Sequence, residues 1–527
     1  MDDSSLDAPF GASILNAVAL ASAATLILVF GIASIWFPFG WDQGIHASVG
    51  DVIVRGGMPY RDAWDVKGPL GHYLFALAQF LFGRNTAAIR IVDLILLYSA
   101  AAMLRHATIR LTSSFVGTWV TIAYLLWVAS LGWFHTAQPD GWVALFLILG
   151  AAPLLVQRNT VSVPRLAACG FLVGCCALVK PVYSIFIALP ISCIWAARSV
   201  VQPRRMAIGA AASALAAAVP PAACAAWFAY RGALVELIEV QFVYNFSVYS
   251  RVPTLSLSRL VLEITEFLFR DRPAVALPAI VLGGFTIWRE NRSAALLLST
   301  WLAAALICVA LQGKFWIYHW LPIYPPLVVL AGVGIQALLQ ARHSTSARGP
   351  QSGFEPGRTL ALLTAVLFVG QLSILPARDV LRSLRMLTGS MTAEEYYQEH
   401  VEWKYVAGDE IKAARYLRAH TTEKDEVVVW GNDATINFLS GRTNPTPFVY
   451  AMPLTRDPPN ELRSAYRRKF LTALRERPPA YVVVGLPHAS SDKEAVLRAF
   501  PEFERFLRER YRLEMRFGFL DLYRLNP

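Results

Sequence analysis

Charge is what this sequence has least of. Asp, Glu, Lys and Arg together make up 16% of its residues, where soluble domains carry about a quarter. That excludes an ordinary water-soluble fold. A hydrophobic share of 55% and a mean hydropathy of +0.44 point instead to a polytopic membrane protein. Cysteine is scarce too. The six are Cys169, Cys175, Cys176, Cys193, Cys224 and Cys308, all inside apolar runs. A disulfide framework is not expected, and adjacent Cys175 and Cys176 do not have zinc-site spacing. They read as small apolar packing residues. Several motifs are missing altogether: a P-loop, a GxGxxG following a strand, HExxH, GxSxG and CxxC. Soluble nucleotide chemistry therefore has no visible place. The N-terminal MDDSSLDAPF has no basic n-region. The run after it is too long for a signal-peptide core, so it is expected to remain as the first membrane helix.

The net charge of +11 raises the question of nucleic acid as a partner. The pattern of basic residues answers it: they fall in short loops, as cytoplasmic arginines and lysines do, and suit contacts with anionic membrane lipids. No nucleic-acid partner is expected.

Apolar runs predict spans near 12–36, 88–110, 114–134, 141–157, 166–179, 182–197, 206–229, 273–289, 293–311, 320–340 and 359–376. Each suits a hydrocarbon core of roughly 30 Å, the shorter ones with thinning or burial in the bundle. Residues 68–83, PLGHYLFALAQFLFGR in outline, are apolar but short and open with Pro69 and Gly71. Read as an amphipathic helix at the interface, they leave the loops holding Asp42 and Asp140 on one face. The positive-inside rule favours that choice. The loops then assigned to the cytoplasm carry Arg105, Arg110, Arg158, Arg165, Arg198, Arg204, Arg205, Arg289, Arg292, Arg342, Arg348 and Arg358, with almost no acid. The opposite loops, 37–87 and 230–272, are longer and mixed in sign. Residues 342–358 read as a cytoplasmic linker.

Charge density rises sharply near residue 377. The expected division is a transmembrane catalytic domain, 1–376, and a soluble periplasmic α/β domain, 377–527. In the latter, DEVVVWG and PPAYVVVG are short β-branched runs bounded by turn residues, as buried strands are. The last run, FGFLDLYRL, is expected as an edge strand. The fold class is thus mainly α: a polytopic membrane helix bundle with a C-terminal extracytoplasmic α/β domain.

The candidate chemistry gathers outside the first span. Asp42, in FPFGWDQG beside Trp41, is either a solvating helix-terminal acid or a base at the membrane surface. Lys67, in WDVKGPL, either snorkels or holds a lipid phosphate. Asp140, in FHTAQPDGW, is either a helix-dipole partner or a second working acid. Lys180 precedes Pro181 between two spans. Lys314 lies in QGKFWIYHW with Tyr318 and His319. Three lysines about one cavity suit a phosphate or pyrophosphate. Trp316, Tyr318 and Trp320 are expected as an interfacial aromatic belt. Trp430, Asn432 and Asp433 follow a strand, as a ligand loop or a structural turn. Asp42 and Asp140 with His46 or His135 could hold a divalent metal. No cofactor is otherwise expected.

The assembled pattern resembles the GT-C superfamily of integral-membrane glycosyltransferases, notably bacterial lipid A aminoarabinose transferases and protein mannosyltransferase-like enzymes. The matching residues are Asp42, the stretch RGGMPYRDAWDVKGPLGHY, FGRNTAAIR with Arg90, Asp140, Lys180, and GKFWIYHWLPIYPPLVVLAG. The likeness covers most of residues 10–340. It implies a sugar donor on a polyprenyl phosphate and a lipid, glycan or protein hydroxyl as acceptor. The reaction would lie outside the bacterial cytoplasmic membrane. It implies that Asp42 acts as base or orients the acceptor, and that Asp140 is the second-loop acid. Lys67, with Lys180 and Lys314, would contact the donor phosphate. Trp41, Tyr60, Arg90, Tyr318 and His319 would surround the substrate. Some members carry an Asp-Glu pair in the first loop, where Gln43 follows Asp42 here. A rival function is a transporter or flippase of polyprenyl-linked glycans. It predicts internal repeats and broken helices at the midplane, and no convincing repeat is visible.

Overall fold

In hydrocarbon a segment must satisfy its own backbone polar groups, so the apolar runs become helices. The computed structural model describes residues 10–157, 160–249, 256–270, 273–340, 356–456, 461–485 and 493–527. The acidic stretch before residue 10, Arg158, Arg342, Arg348 and residues 342–355 of the expected linker lie outside the described residues.

The chain enters through α1 (Phe10–Ser34) and then forms two short helices, α2 (Trp41–Val54) and α3 (Pro69–Phe82). The bundle continues with α4 (Thr86–Leu111), α5 (Ser114–Ala129), α6 (Pro139–Leu155), α7 (Val163–Val179), α8 (Ala188–Ala196) and α9 (Pro203–Tyr230). After α10 (Leu234–Ile238), residues Glu239–Tyr249 wind as a π-helix, and α11 (Leu257–Arg270) follows. The remaining long helices are α12 (Leu277–Glu290), α13 (Arg292–Gln312), α14 (Tyr324–Gln340) and α15 (Pro356–Leu387). Among the described residues, five helices are long and apolar enough to cross a membrane by themselves. The chain is a multi-pass membrane protein.

Three expected spans differ in detail. The one placed at 114–134 stops as a helix at Ala129, because Gly132 takes a positive φ of 78° and a short turn at Trp133–His135 redirects the chain. Those placed at 182–197 and 273–289 begin as 3-10 turns behind Pro181 and Pro273. The helix expected to end near residue 376 runs on to Leu387, so the apolar helix continues into the C-terminal region without a break.

Small residues allow close helix contact. A Cβ on Gly170 would stand 2.2 Å from the Ser213 carbonyl oxygen, and one on Gly174 2.3 Å from that of Ala217. This Gly-x-x-x-Gly ridge lets the α7 and α9 backbones touch. Large apolar side chains turn outward, including Ile32, Leu215, Val281 and Phe285, as lipid-facing surfaces require. On α3, Leu77, Phe80, Leu81 and Phe82 are exposed while His72, Phe75 and Gln79 are buried. That two-sided pattern fits a helix lying at an interface.

Beyond α15 come α16 (Ala393–Gln398), the small pair β1 (Val401–Glu402) and β2 (Tyr405–Val406), and α17 (Ala407–His420). A mixed four-stranded sheet follows. Its strands are β3 (Val427–Trp430), β4 (Tyr481–Val484), β5 (Tyr511–Phe517) and β6 (Leu520–Leu525), in the order β3-β4-β6-β5. β3 and β4 pair in parallel, with Val428 opposite Val482; the other pairs are antiparallel. The run expected as an edge strand, β6, is therefore internal, and β5 forms the edge. β5, YRLEMRF, escapes a hydrophobicity reading because its charged residues face water on an exposed edge. Helices α18 (Thr435–Ser440), α19 (Met452–Thr455), α20 (Glu461–Glu476), α21 (Lys493–Arg498) and α22 (Pro501–Arg510) surround the sheet.

The outer region and the first loop share one core. Ile45, Val49, Met58, Tyr60 and Trp64 pack with Val428, Trp430, Phe448, Tyr450 and Tyr466. Trp64 N donates to the Pro447 carbonyl at 2.6 Å, and Ser48 Oγ donates to that of Ala434 at 2.8 Å. Apolar burial and buried hydrogen bonds together hold the loop against the outer domain.

Candidate active site

Two lysine–aspartate pairs face one cavity of about 570 Å³. The first joins Lys67 Nζ to Asp42 Oδ1 at 2.9 Å. Asp42 lies in the first turn of α2, where an acid favours the helix dipole. The turn is braced by Gln43: its Oε1 accepts from Gly40 N at 2.8 Å, and its Nε2 donates to the carbonyls of Phe134 (2.9 Å) and Thr136 (2.7 Å). The residue after Asp42 thus serves as a brace. Lys67 is also 3.8 Å from Asp65. Burial alone would depress its ammonium, but the carboxylates of Asp42 and Asp65 outweigh burial and hold its pKa above the usual range.

The second pair joins Lys180 Nζ to Asp140 at 2.7 and 2.9 Å. Lys180 also donates to Gln312 Oε1 at 2.9 Å, and the Tyr183 hydroxyl donates to Asp140. Asp140 opens α6 behind Pro139, and Lys180 ends α7 before Pro181. The two pairs come together because the loop backbone presses on the end of α7: a Cβ on Gly68 would lie 2.3 Å from the carbonyl oxygens of Leu178 and Val179. Glycine is what lets Lys67 and Lys180 line the same space. Tyr318 links the pairs, hydrogen-bonding Asp42 while Lys180 Nζ stands 5.7 Å from its ring centroid.

Lys314 differs from the other lysines. Burial and the nearby cations Arg456, Lys180 and Lys67 push its pKa down to about 6, and its Nζ rests 2.8 Å from the Tyr249 ring centroid. The cavity therefore holds two lysine–aspartate pairs and one amine whose pKa is lowered. An entering phosphate would recharge that amine.

Of the residues named from sequence, Asp42, Lys67, Asp140, Lys180, Lys314, Tyr318 and His319 line this cavity. Three others do not. Trp41 is buried and donates from Nε1 to Asp433 Oδ1 at 3.4 Å. Tyr60, buried at a φ of 69°, donates from its hydroxyl to the Lys67 carbonyl at 2.9 Å. Arg90 donates from Nη2 to the Pro38 carbonyl at 2.8 Å and from Nη1 to the Thr136 hydroxyl. All three hold the frame of the site. The expected aromatic belt also differs. Trp320 is buried and stacks on Phe267 with centroids 4.4 Å apart, because the chain folds its ring inward. Asp433 and Glu410 form a buried carboxyl pair beneath Trp41, with Tyr405 donating to Glu410 at 2.6 Å. Burial raises both carboxyl pKa values. The Trp430–Asp433 loop thus docks the outer domain onto α2.

Asp42 and Asp140 are each engaged by their own lysine. Sequence reasoning missed Gln241, Asn245 and Tyr249. The first two donate to the carbonyls of Val66 and Lys67 at 3.0–3.1 Å, and all three line the cavity. Their signal is a polar residue every fourth position in EVQFVYNFSVY, which the π winding turns to one side.

These features define a class: a membrane helix bundle with a cavity of paired lysines and aspartates, packed against a loop and a C-terminal α/β region. No family model and no curated protein matches the sequence. The structure matches that of ArnT from Cupriavidus metallidurans bound to undecaprenyl phosphate, with a TM-score of 0.59 at 16% identity, over 98% of each chain. The apo state of the same protein matches at 0.59 over 97% of this chain and 98% of that one. The archaeal oligosaccharyltransferase AglB from Archaeoglobus fulgidus gives 0.48 at 12% identity, over 88% of this chain and 69% of that chain. The chain shares the fold of those ArnT structures.

Proposed function

We propose that the protein is a glycosyltransferase that moves a sugar from a polyprenyl-phosphate donor to a lipid, glycan or protein hydroxyl. It would act at the outer face of a bacterial cytoplasmic membrane, with the C-terminal domain periplasmic. The observation that carries this reading is the pair of lysine–aspartate contacts, 2.9 and 2.7 Å, facing one cavity beside Lys314. The ArnT structure that shares the fold is bound to undecaprenyl phosphate, which supports a carrier of that kind here.

In this mechanism the donor phosphate enters among Lys67, Lys180 and Lys314. It draws Lys67 away from Asp42, and the freed carboxylate takes the acceptor hydroxyl proton. The acceptor oxygen bonds to the anomeric carbon as the bond from that carbon to the phosphate oxygen breaks. Polyprenyl phosphate leaves with the electron pair, held by the ammonium groups. Attack opposite the leaving group inverts the anomeric centre. The leaving anion is already stable, so positioning and charge stabilisation supply most of the acceleration.

The test uses purified protein in lipid nanodiscs with polyprenyl-phosphate-linked sugars. Release of polyprenyl phosphate coupled to acceptor glycosylation, lost in Lys67→Ala and Lys180→Ala, is the expected result. Movement of intact donor across the bilayer of reconstituted vesicles, without cleavage, would replace the transferase with a flippase.

A further inference from the structure

Behind Lys67 lies a second polar cluster, which the proposed transfer uses only through the charge of Asp65 beside Lys67. His46 on α2, His72 on α3 and Asp65 in the connecting loop are each completely buried. His46 sits one helical turn beyond Asp42, and Asp65 two residues before Lys67. One ligating atom from each of the three lies within 4.8 Å of the others.

The local bonding is incomplete. His46 Nδ1 and His72 Nδ1 are 2.9 Å apart, so one ring donates to the other. Asp65 Oδ1 accepts from the Tyr450 hydroxyl at 2.8 Å. His46 Nε2, His72 Nε2 and Asp65 Oδ2, all sealed from solvent, have no hydrogen-bond partner. Leaving such atoms unpaired in a buried site is costly, and native structures rarely do it. His72 Nε2 and Asp65 Oδ2 face each other at 3.6 Å, too far for a hydrogen bond. A tetrahedral ion bound at about 2.1 Å by two ligands holds them about 3.4 Å apart. The observed separation leaves room for a cation between them.

The chemistry agrees. Histidine binds metals through a ring lone pair, and an entering ion would displace the proton between the two rings. The frame is rigid: the His46 ring stacks on Phe75 with centroids 5.4 Å apart, and a Cβ on Gly71 would come 2.9 Å from His46 Cε1. Two imidazoles and one carboxylate form a donor set for a borderline divalent ion such as zinc.

We propose that His46, His72 and Asp65 bind a structural divalent transition-metal ion of the zinc class. The ion clamps α2 to α3 and fixes the loop that presents Asp42 and Lys67. Its ligands are separate from the cavity acids Asp42 and Asp140, each of which is held by a lysine.

Metal content decides the matter independently of any transfer activity. The full chain would be purified in detergent without chelator and its zinc measured by inductively coupled plasma mass spectrometry. The expected result is about one zinc per chain in wild type and in Asp42→Asn. His46→Gln, His72→Gln and Asp65→Asn should lose it. Because those variants can fail to fold, wild type would also be stripped with a chelator and titrated with Zn²⁺ and with Co²⁺. Zinc should restore the melting temperature, and cobalt should give the visible absorption of a tetrahedral site. Wild type without zinc, and without response to either ion, would overturn the proposal. So would zinc that survives His46→Gln and His72→Gln but is lost in Asp42→Asn.

Discussion

If Lys314 is an amine waiting for an anion, donor affinity depends on pH in a defined way. In the empty cavity its pKa is pushed down to about 6. A phosphate beside it restores the ordinary value near 10.4. Between these values binding takes up a proton, so affinity falls as pH rises, by up to tenfold per unit, or about 1.4 kcal/mol. Water in the cavity reduces this, since Lys314 is only half-buried, and a three- to tenfold loss per unit between pH 6.5 and 8.5 is about what survives. The probe should be a polyprenyl phosphodiester. A monoester titrates near pH 6 itself and gains charge as pH rises, which would mask the effect. Binding would be measured by native mass spectrometry or calorimetry in nanodiscs. Lys314→Arg keeps its charge throughout and should bind with a flat profile; Lys314→Met should bind weakly with a flat profile. A flat wild-type profile, or a slope that persists in Lys314→Met, would refute the reasoning.

Three further outcomes follow from the geometry. Asp42→Asn should lower kcat by about 10²–10⁴-fold, the usual worth of a general base, while donor affinity holds because Lys67 keeps Asp65 at 3.8 Å; single-turnover kinetics separate the two. Trp64→Ala removes a buried ring packed on Tyr244, Tyr450 and Tyr466 and should cost about 3–5 kcal/mol, seen as a lower melting temperature. Glu410→Gln should stabilise the protein more at pH 8 than at pH 5. Burial raises the Glu410 carboxyl above its unfolded value, so stability is fully present at low pH and is lost as pH rises through the folded pKa. Equal melting temperatures of mutant and parent at pH 8 would contradict that sign.

The bundle was readable from the chain because hydrocarbon forces each apolar run into a helix. Its interruptions were less so. Ala129 ends α5 early through the backbone of Gly132, a local feature inside an unbroken apolar run. Asp42, Lys67, Asp140 and Lys180 stand out because charge is rare in such a sequence. Their pairing depends on Gly68 pressing against Leu178 and Val179, more than a hundred residues away, and local pattern carries no trace of that. Trp41, Tyr60 and Arg90 sit beside the motifs, yet their side chains bond the frame. Direction relative to a cavity is a tertiary property. Gln241, Asn245 and Tyr249 recur every four residues, but they are uncharged polar groups in an apolar run and stand out less than the charges do.

The most direct measurement compares cells carrying wild type, Asp42→Asn or Lys67→Ala at equal membrane levels. Surface glycans and polyprenyl-phosphate-linked sugars would be profiled by mass spectrometry. The account predicts that one sugar disappears from a surface molecule in both variants while its lipid-linked donor accumulates, which also identifies the sugar. Unchanged glycans and unchanged donor pools in both variants would contradict it.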